Sequence, residues 1–172
     1  MSRNSVRAAI QSYFNTAGIP NVGTVYEART YINEQDYEQN YMGEVVASSN
    51  GSGCVLVVNL TQDKRTRRAD TGRGAVNDSV IHSVALELFF ASTLGDPVAA
   101  QNDYDATVEG IIDAIRTDAT LGTGGNPIWS AGEYSPWIDH HQAMPYTDAD
   151  GMTVFIPGVV FFEAWEWVAG PV

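Results

Sequence analysis

The sequence is short of cysteine, of positive charge and of long apolar runs, and each shortage removes a class of protein. Cys54 is the only cysteine. No internal disulfide can form, and the expectation is a reducing compartment or an assembly that needs no covalent staple. Lysine and arginine number 9 against 21 aspartates and glutamates, a formal charge of −12. Such acidity argues against general coating of nucleic acid, because phosphate binding needs a basic surface. No stretch approaches the roughly 20 apolar residues of a membrane helix. The most apolar segment, near the C-terminus, is interrupted by Pro157, Gly158, Glu163 and Glu166. The opening MSRNSVRAAIQSYF holds two arginines but no apolar core of the kind a secretory signal carries. Neither a signal peptide nor membrane association is expected. Internal repeats and domain linkers are missing too. What is there is a chain of 172 residues, 44% hydrophobic and 17% charged. That length and composition suit one folded domain, not a disordered tail or a heptad rod.

Periodicity divides the chain. Val6, Ala9, Ile10, Tyr13, Phe14 and Ala17 recur at helical spacing, predicting a helix over residues 5–17 that Gly18 and Pro20 end. A short strand is expected over 22–31, and the polar, tyrosine-dotted stretch 33–50 reads as irregular loop. Residues 54–60 (CVLVVNL) are rich in β-branched side chains and predict a strand. Residues 80–90 alternate: Val80, His82, Val84, Leu86, Leu88 and Phe90 share one face, and Ser83, Ala85 and Glu87 the other. The 19 residues between these strands show no apolar periodicity and are too many for a tight hairpin. They form either a protruding β-arm or a mobile loop. A second helix runs from about residue 99 or 102 to 118, with Tyr104, Val108, Ile111, Ile112 and Ile115 as its apolar stripe. Residues 120–127 are glycine-rich punctuation, and 128–150 read as irregular or short-strand. A terminal strand over 154–168 is bent at Pro157-Gly158. The order predicts an α+β fold: a mainly antiparallel β-sheet with two helices packed on one face and a long protruding β-hairpin arm. The domain is single, 1–172, with the arm at about 61–79 and a C-terminal extension and strand at about 123–172.

Few residues suggest chemistry. Asp139-His140-His141 is the one local cluster that could hold a metal or a general base. Adjacent strand histidines cannot both face one site, however, and no further ligand lies nearby at metal-binding spacing. His82, on an apolar strand face, reads as a satisfied core histidine, and Cys54 as a buried inert thiol. The glycines at 72, 74, 122, 124 and 125 do not follow a strand and open a helix in a phosphate-binding pattern, so they read as turn residues. Phe161, Phe162, Trp165 and Trp167 read as core plus a cover over the sheet. No catalytic, cofactor-binding or metal-binding residue is expected. Charge is the feature that departs from its surroundings. Lys64, Arg65, Arg67, Arg68 and Arg73, with Asp70 the only acid among them, give residues 64–73 a net +4, against −16 on the remainder of the chain. These five residues are the candidate interface arm. Two acidic targets are open to them: DNA, or carboxylates such as Asp103, Asp105, Glu109, Asp113 and Asp118 on the second helix, where Arg116 is the only base. Protein is the expected target.

The opening RNSVRAAIQSYFNTAGIPNVGTVYEAR, a strand, a basic hairpin, then SVIHSVALELFFAS and YDATVEGIIDAIRTDATLG together resemble the tail terminator (tail completion, head-to-tail joining) proteins of long-tailed bacteriophages. The resemblance is one of layout and texture and covers about residues 3–122. It implies a small α/β subunit that assembles as a homo-oligomer, a hexameric ring, at the head-proximal end of the tail tube. There the ring stops tube growth and presents a surface to the head. The implied partners are the tail tube protein and the head-tail connector or stopper protein, with at most passive contact with DNA in the channel, and no cofactor. The implied location is the virion neck, assembled in the host cytoplasm. The region after Gly122 exceeds the minimal pattern and adds an extra strand or an interface element. Two other readings stay open: another ring-forming neck, tail tube or minor tail protein, and an intracellular enzyme or ligand-binding module. The last would need convergent polar groups in a pocket.

Overall fold

The computed structural model describes residues 3–29, 37–48, 51–69, 76–118, 120–123, 128–130 and 138–169. Helix α1 (Arg3–Thr16) buries Val6, Ile10 and Phe14, one residue per turn, along the expected stripe. Gly18 and Asn21, both at positive φ, turn the chain into strand β1 (Val22–Tyr26). Helix α2 (Tyr37–Ser48) precedes the long strands β2 (Ser52–Ala69) and β3 (Val76–Ser92). Helix α3 (Pro97–Thr117) starts earlier than its apolar stripe suggests. Its N-cap is Asp96, whose carboxylate accepts from the backbone N–H of Val98 at 2.9 Å and of Ala99 at 3.3 Å, with proline in the first turn. Three short strands, β4 (Ile128–Ser130), β5 (Asp139–Gln142) and β6 (Tyr146–Thr147), come before β7 (Val154–Ala169).

All seven strands join one sheet in the order β1-β2-β3-β7, with β4, β5 and β6 sharing the remaining edge of β7. Only β1 and β2 are parallel; every other pair is antiparallel. The fold is α+β with a mostly antiparallel sheet. The alternation read from the sequence sorts its two faces. Cys54, Leu56 and Val58 of β2, Val84, Leu86, Leu88 and Phe90 of β3, and Ile156, Val160 and Phe162 of β7 form one core with the stripes of α1 and α3. The two helices also touch directly, Tyr13 Oη donating to the Ala114 carbonyl at 2.7 Å.

Two expectations are corrected and a third is narrowed. Residues 37–48, expected as irregular loop, are α2, which covers the opposite sheet face. Tyr41, Met42 and Val45 pack there on Val55, Val57, Phe89 and Ala91, and the rings of Tyr41 and Phe89 stack at 4.8 Å. A third helix thus joins the two expected, and topology supplies its reason: parallel neighbours such as β1 and β2 need a crossover connection. The first strand, expected to reach residue 31, ends at Tyr26. Residues 61–69 and 76–79, expected as a protruding β-hairpin arm, are the paired outer ends of β2 and β3, and their protrusion as an arm is not confirmed. Strands β2 and β3 stay paired out to Ala69 opposite Val76, and β7 lines the other side of β3 out to Ala169 opposite Asn77. This stretch is part of a three-stranded ladder; residues 70–75 lie outside the described residues. The polar composition of 61–69 does not prevent the strand, because a ladder is held by backbone hydrogen bonds that any residue but proline can make.

Candidate functional site

The structure treats the five basic residues of the candidate arm unequally. Lys64 is exposed on β2. The backbones of Arg65, Arg67 and Arg68 pair with Val80, Asp78 and Asn77 of β3. Side chains from 65 to 79, and Arg73 altogether, lie outside the described residues. The acids expected to cluster on α3 divide in two. Asp105, Glu109 and Asp113, four residues apart, form one exposed stripe. Asp103 turns inward, its Oδ2 accepting from Ser52 Oγ at 2.6 Å. Asp118 closes the turn after α3, accepting from the Thr120 hydroxyl and from the backbone N–H of Thr120 and Gly122. The Thr120 hydroxyl, then those backbone groups, hold its carboxyl below the ordinary range.

Where α2 does not cover the second sheet face, a trough of about 750 Å³ opens. Ala85, Phe89, Val159 and Phe161 line it from the sheet, and residues 141–144 with Tyr146 form its wall. Arg29 clamps Glu87 across it, Nε donating to Oε2 at 3.0 Å and a second nitrogen to Oε1. Asn59 Nδ2 donates to the same carboxylate at 3.4 Å. Arg29, Asn59 and Glu87 are thus engaged with one another on a largely apolar surface.

The adjacent histidines point to different places, as the pleat requires. His140 reaches α3, its Nε2 2.8 Å from Tyr104 Oη. His141 lines the trough, Nε2 2.9 Å from Asp139 Oδ2. That bond, ahead of the backbone N–H of His140, holds the Asp139 carboxyl low. Among the described residues no three His, Cys, Asp or Glu side chains are placed to hold a metal ion. Burial pushes the Cys54 thiol well up, which leaves it unreactive.

His82 is a satisfied core histidine, as expected, but its partners were not foreseen. Its Nδ1 lies 2.8 Å from Asp63 Oδ1 and its Nε2 3.0 Å from Glu166 Oε2, with His82 3% and Glu166 2% exposed. Burial alone would raise the Glu166 carboxyl, but hydrogen bonding and nearby positive charge, His82 included, outweigh it and hold that carboxyl low. Arg3 of α1 completes the cluster, its Nε 3.5 Å from Asp63 Oδ2 and a terminal nitrogen donating to the Leu60 carbonyl. The signal for Glu166 was its parity with Phe162 and Ala164, the inward positions of β7. Asp63 had no such signal. A bulge between Leu60 and Gln62 shifts the register, so Asp63, which simple alternation sends to the α2 face, stands opposite His82. Of the aromatic series, Phe162 is core, Phe161 and Trp165 are half-buried, and the Trp167 side chain lies outside the described residues. No helix among the described residues is long and apolar enough to cross a membrane. Compared with known proteins, the chain matches no family model and no curated sequence.

Proposed function

We propose that this chain is a structural virion protein of the tail terminator type, a ring-forming subunit that ends tail tube growth and joins the tail to the head connector. The order of elements carries this reading: α1, β1, the long β2–β3 pair, α3 and β7, with α1 and α3 together on one sheet face. It follows the layout on which the resemblance rests. In this reading the ring is a homo-hexamer in the virion neck, built from heterologous contacts that close on themselves. Charge supplies one such contact. The run from Lys64 to Arg73 of one copy meets the Asp105–Glu109–Asp113 stripe of the next, or a tail partner, because a planar guanidinium can meet a carboxylate with two hydrogen bonds. Exposed pairs contribute only about 0–1 kcal/mol each, so several act together. DNA is the poorer target, since five basic residues per subunit repeated around a ring would hold phosphate at low salt and slow a passing genome.

Deleting the gene is expected to give overlong, unjoined tail tubes in negative-stain images. Loss of all tubes would instead make the chain a tube subunit, and tails of normal length joined to heads would end the proposal. A variant carrying Arg65→Glu, Arg67→Glu and Arg68→Glu is expected to keep its circular dichroism and melting profile while losing tail joining. Normal joining with altered DNA retention would transfer the contact to nucleic acid.

A further inference from the structure

We propose that His140 is a pH-sensitive latch: neutral, it fastens β5, and with it the wall of the trough, to α3, and protonated, it lets go. The inference does not rest on the ring reading.

Tyr104 is fully buried on α3, and its phenol oxygen passes over β7 to reach the imidazole. Gly158 makes that passage possible. A Cβ at 158 would overlap the phenol oxygen and approach the His141 carbonyl to 3.2 Å, so the glycine of the Pro157-Gly158 pair is a requirement of this contact. Burial, with Cys54 and Asp105 adding to it, raises the Tyr104 phenol, which keeps its proton at any physiological pH. A neutral His140 carrying its proton on Nδ1 accepts the phenol proton at Nε2, 2.8 Å away. A protonated ring carries N–H there instead, so the bond must reverse and the buried hydroxyl loses its acceptor.

The groups facing His140 bear on its titration as follows. From α3, Asp105 favours the charged ring; on β5, Asp139 favours it and His141 opposes it; from β7, the residue opposite is Val160. Burial outweighs the two carboxylates, and His140 is held below its ordinary value. The sign follows directly. The closed state binds the proton less readily than the released state, so closure is at full strength above the ordinary histidine value of about 6.5 and weakens progressively as pH falls from there through the lowered closed-state value.

Among the described residues a second tie between β5 and α3 is the reciprocal pair Gln101–Gln142, at 2.9 and 3.1 Å, which does not titrate. Residues 143–147, immediately after β5, are all exposed, and Ala143, Met144 and Tyr146 line the trough. The ladder to β7 and the Ala143 N–H to the Pro157 carbonyl at 2.9 Å remain, so release at His140 frees the α3 side of β5 and loosens the wall without detaching it, while both cores stay intact.

Hydrogen–deuterium exchange on the full chain at pH 7.5 and 5.0, corrected for intrinsic rates, tests this. Protection is expected to drop at pH 5.0 in residues 139–146 while β2 and β3 keep theirs. In His140→Gln, whose amide oxygen accepts from Tyr104 without titrating, that drop should vanish; in His141→Gln it should persist. An unchanged segment, a loss shared by the whole sheet, or a drop retained in His140→Gln would overturn the proposal. Should His140→Gln fail to fold, NMR titration of the wild-type ring decides: a midpoint below the ordinary value supports the latch, and one at or above it ends it.

Discussion

Replacing His82 with alanine is expected to destabilise the fold by about 3–5 kcal/mol, the range for breaking a buried charged or polar pair by removing one partner. His82 stands between Asp63 of β2 and Glu166 of β7, at 2.8 and 3.0 Å, with almost no access to solvent. Each ring nitrogen faces one carboxylate, so one side chain serves two strands. Truncation removes both ring contacts and leaves water little room to replace them beside Glu166, so the cost falls on buried polar atoms. The contrast variant replaces the pair together: His82→Leu with Glu166→Leu should cost less than His82→Ala, because an apolar pair of similar volume asks for no donor. Urea unfolding with fixed slope measures both. A loss under about 0.5 kcal/mol for His82→Ala, the surface range, would mean that the cluster is not closed to water. Since Arg3 joins through Asp63, the variant should also loosen the start of α1, seen as faster amide exchange there.

Ile111→Ala and Leu86→Ala are each expected to cost about 2–5 kcal/mol, the transfer term of the lost methyl groups plus the cavity left behind. Ile111 is fully buried on the stripe of α3 and Leu86 fully buried at the centre of β3, in the same core. Leu86 lies opposite Val58 on one side and Val160 on the other, so neighbouring strands as well as helices hold the cavity open. Calorimetry or denaturant titration of the two variants, alone and combined, provides the check. Losses that are not additive would reflect the shared core; losses in the surface range would mean that α3 does not pack on this face.

Local repetition was the legible part. Val6, Ile10 and Phe14 announce a helix because a buried stripe returns every third or fourth residue, and Val84, Leu86 and Leu88 announce a strand because a one-sided core takes every second residue. Helix α2 was hidden because its buried residues Tyr41, Met42 and Val45 make a narrow stripe in a short polar segment with Gly43 inside it. Such a helix owes its existence to the sheet face it covers more than to propensity. The outer parts of β2 and β3 were legible as a hairpin arm but not in their register. Residues 61–69 offer no apolar alternation, and the bulge after Leu60 would break the parity of any pattern that did exist.

The candidate sites divide along the same line. The basic run from Lys64 to Arg73 and the acids of α3 can be counted from the chain, since charge is a property of composition. Which of those acids are surface was settled by folding: Asp103 serves Ser52 and Asp118 closes a turn, leaving Asp105, Glu109 and Asp113 as the stripe.

By itself, then, the sequence determined the two apolar-striped helices, the alternating central strands, the absence of an internal disulfide and the concentration of positive charge in one short run. All of these are local patterns or counts. Tertiary structure alone decided that Asp63, His82 and Glu166 meet, that α2 bridges a parallel pair, and that Tyr104 reaches His140 over Gly158. His82 and Glu166 are 84 residues apart in the chain and share no local signature. Their meeting depends on the register of three strands, and for Asp63 one bulge decides which face of the sheet its carboxylate occupies.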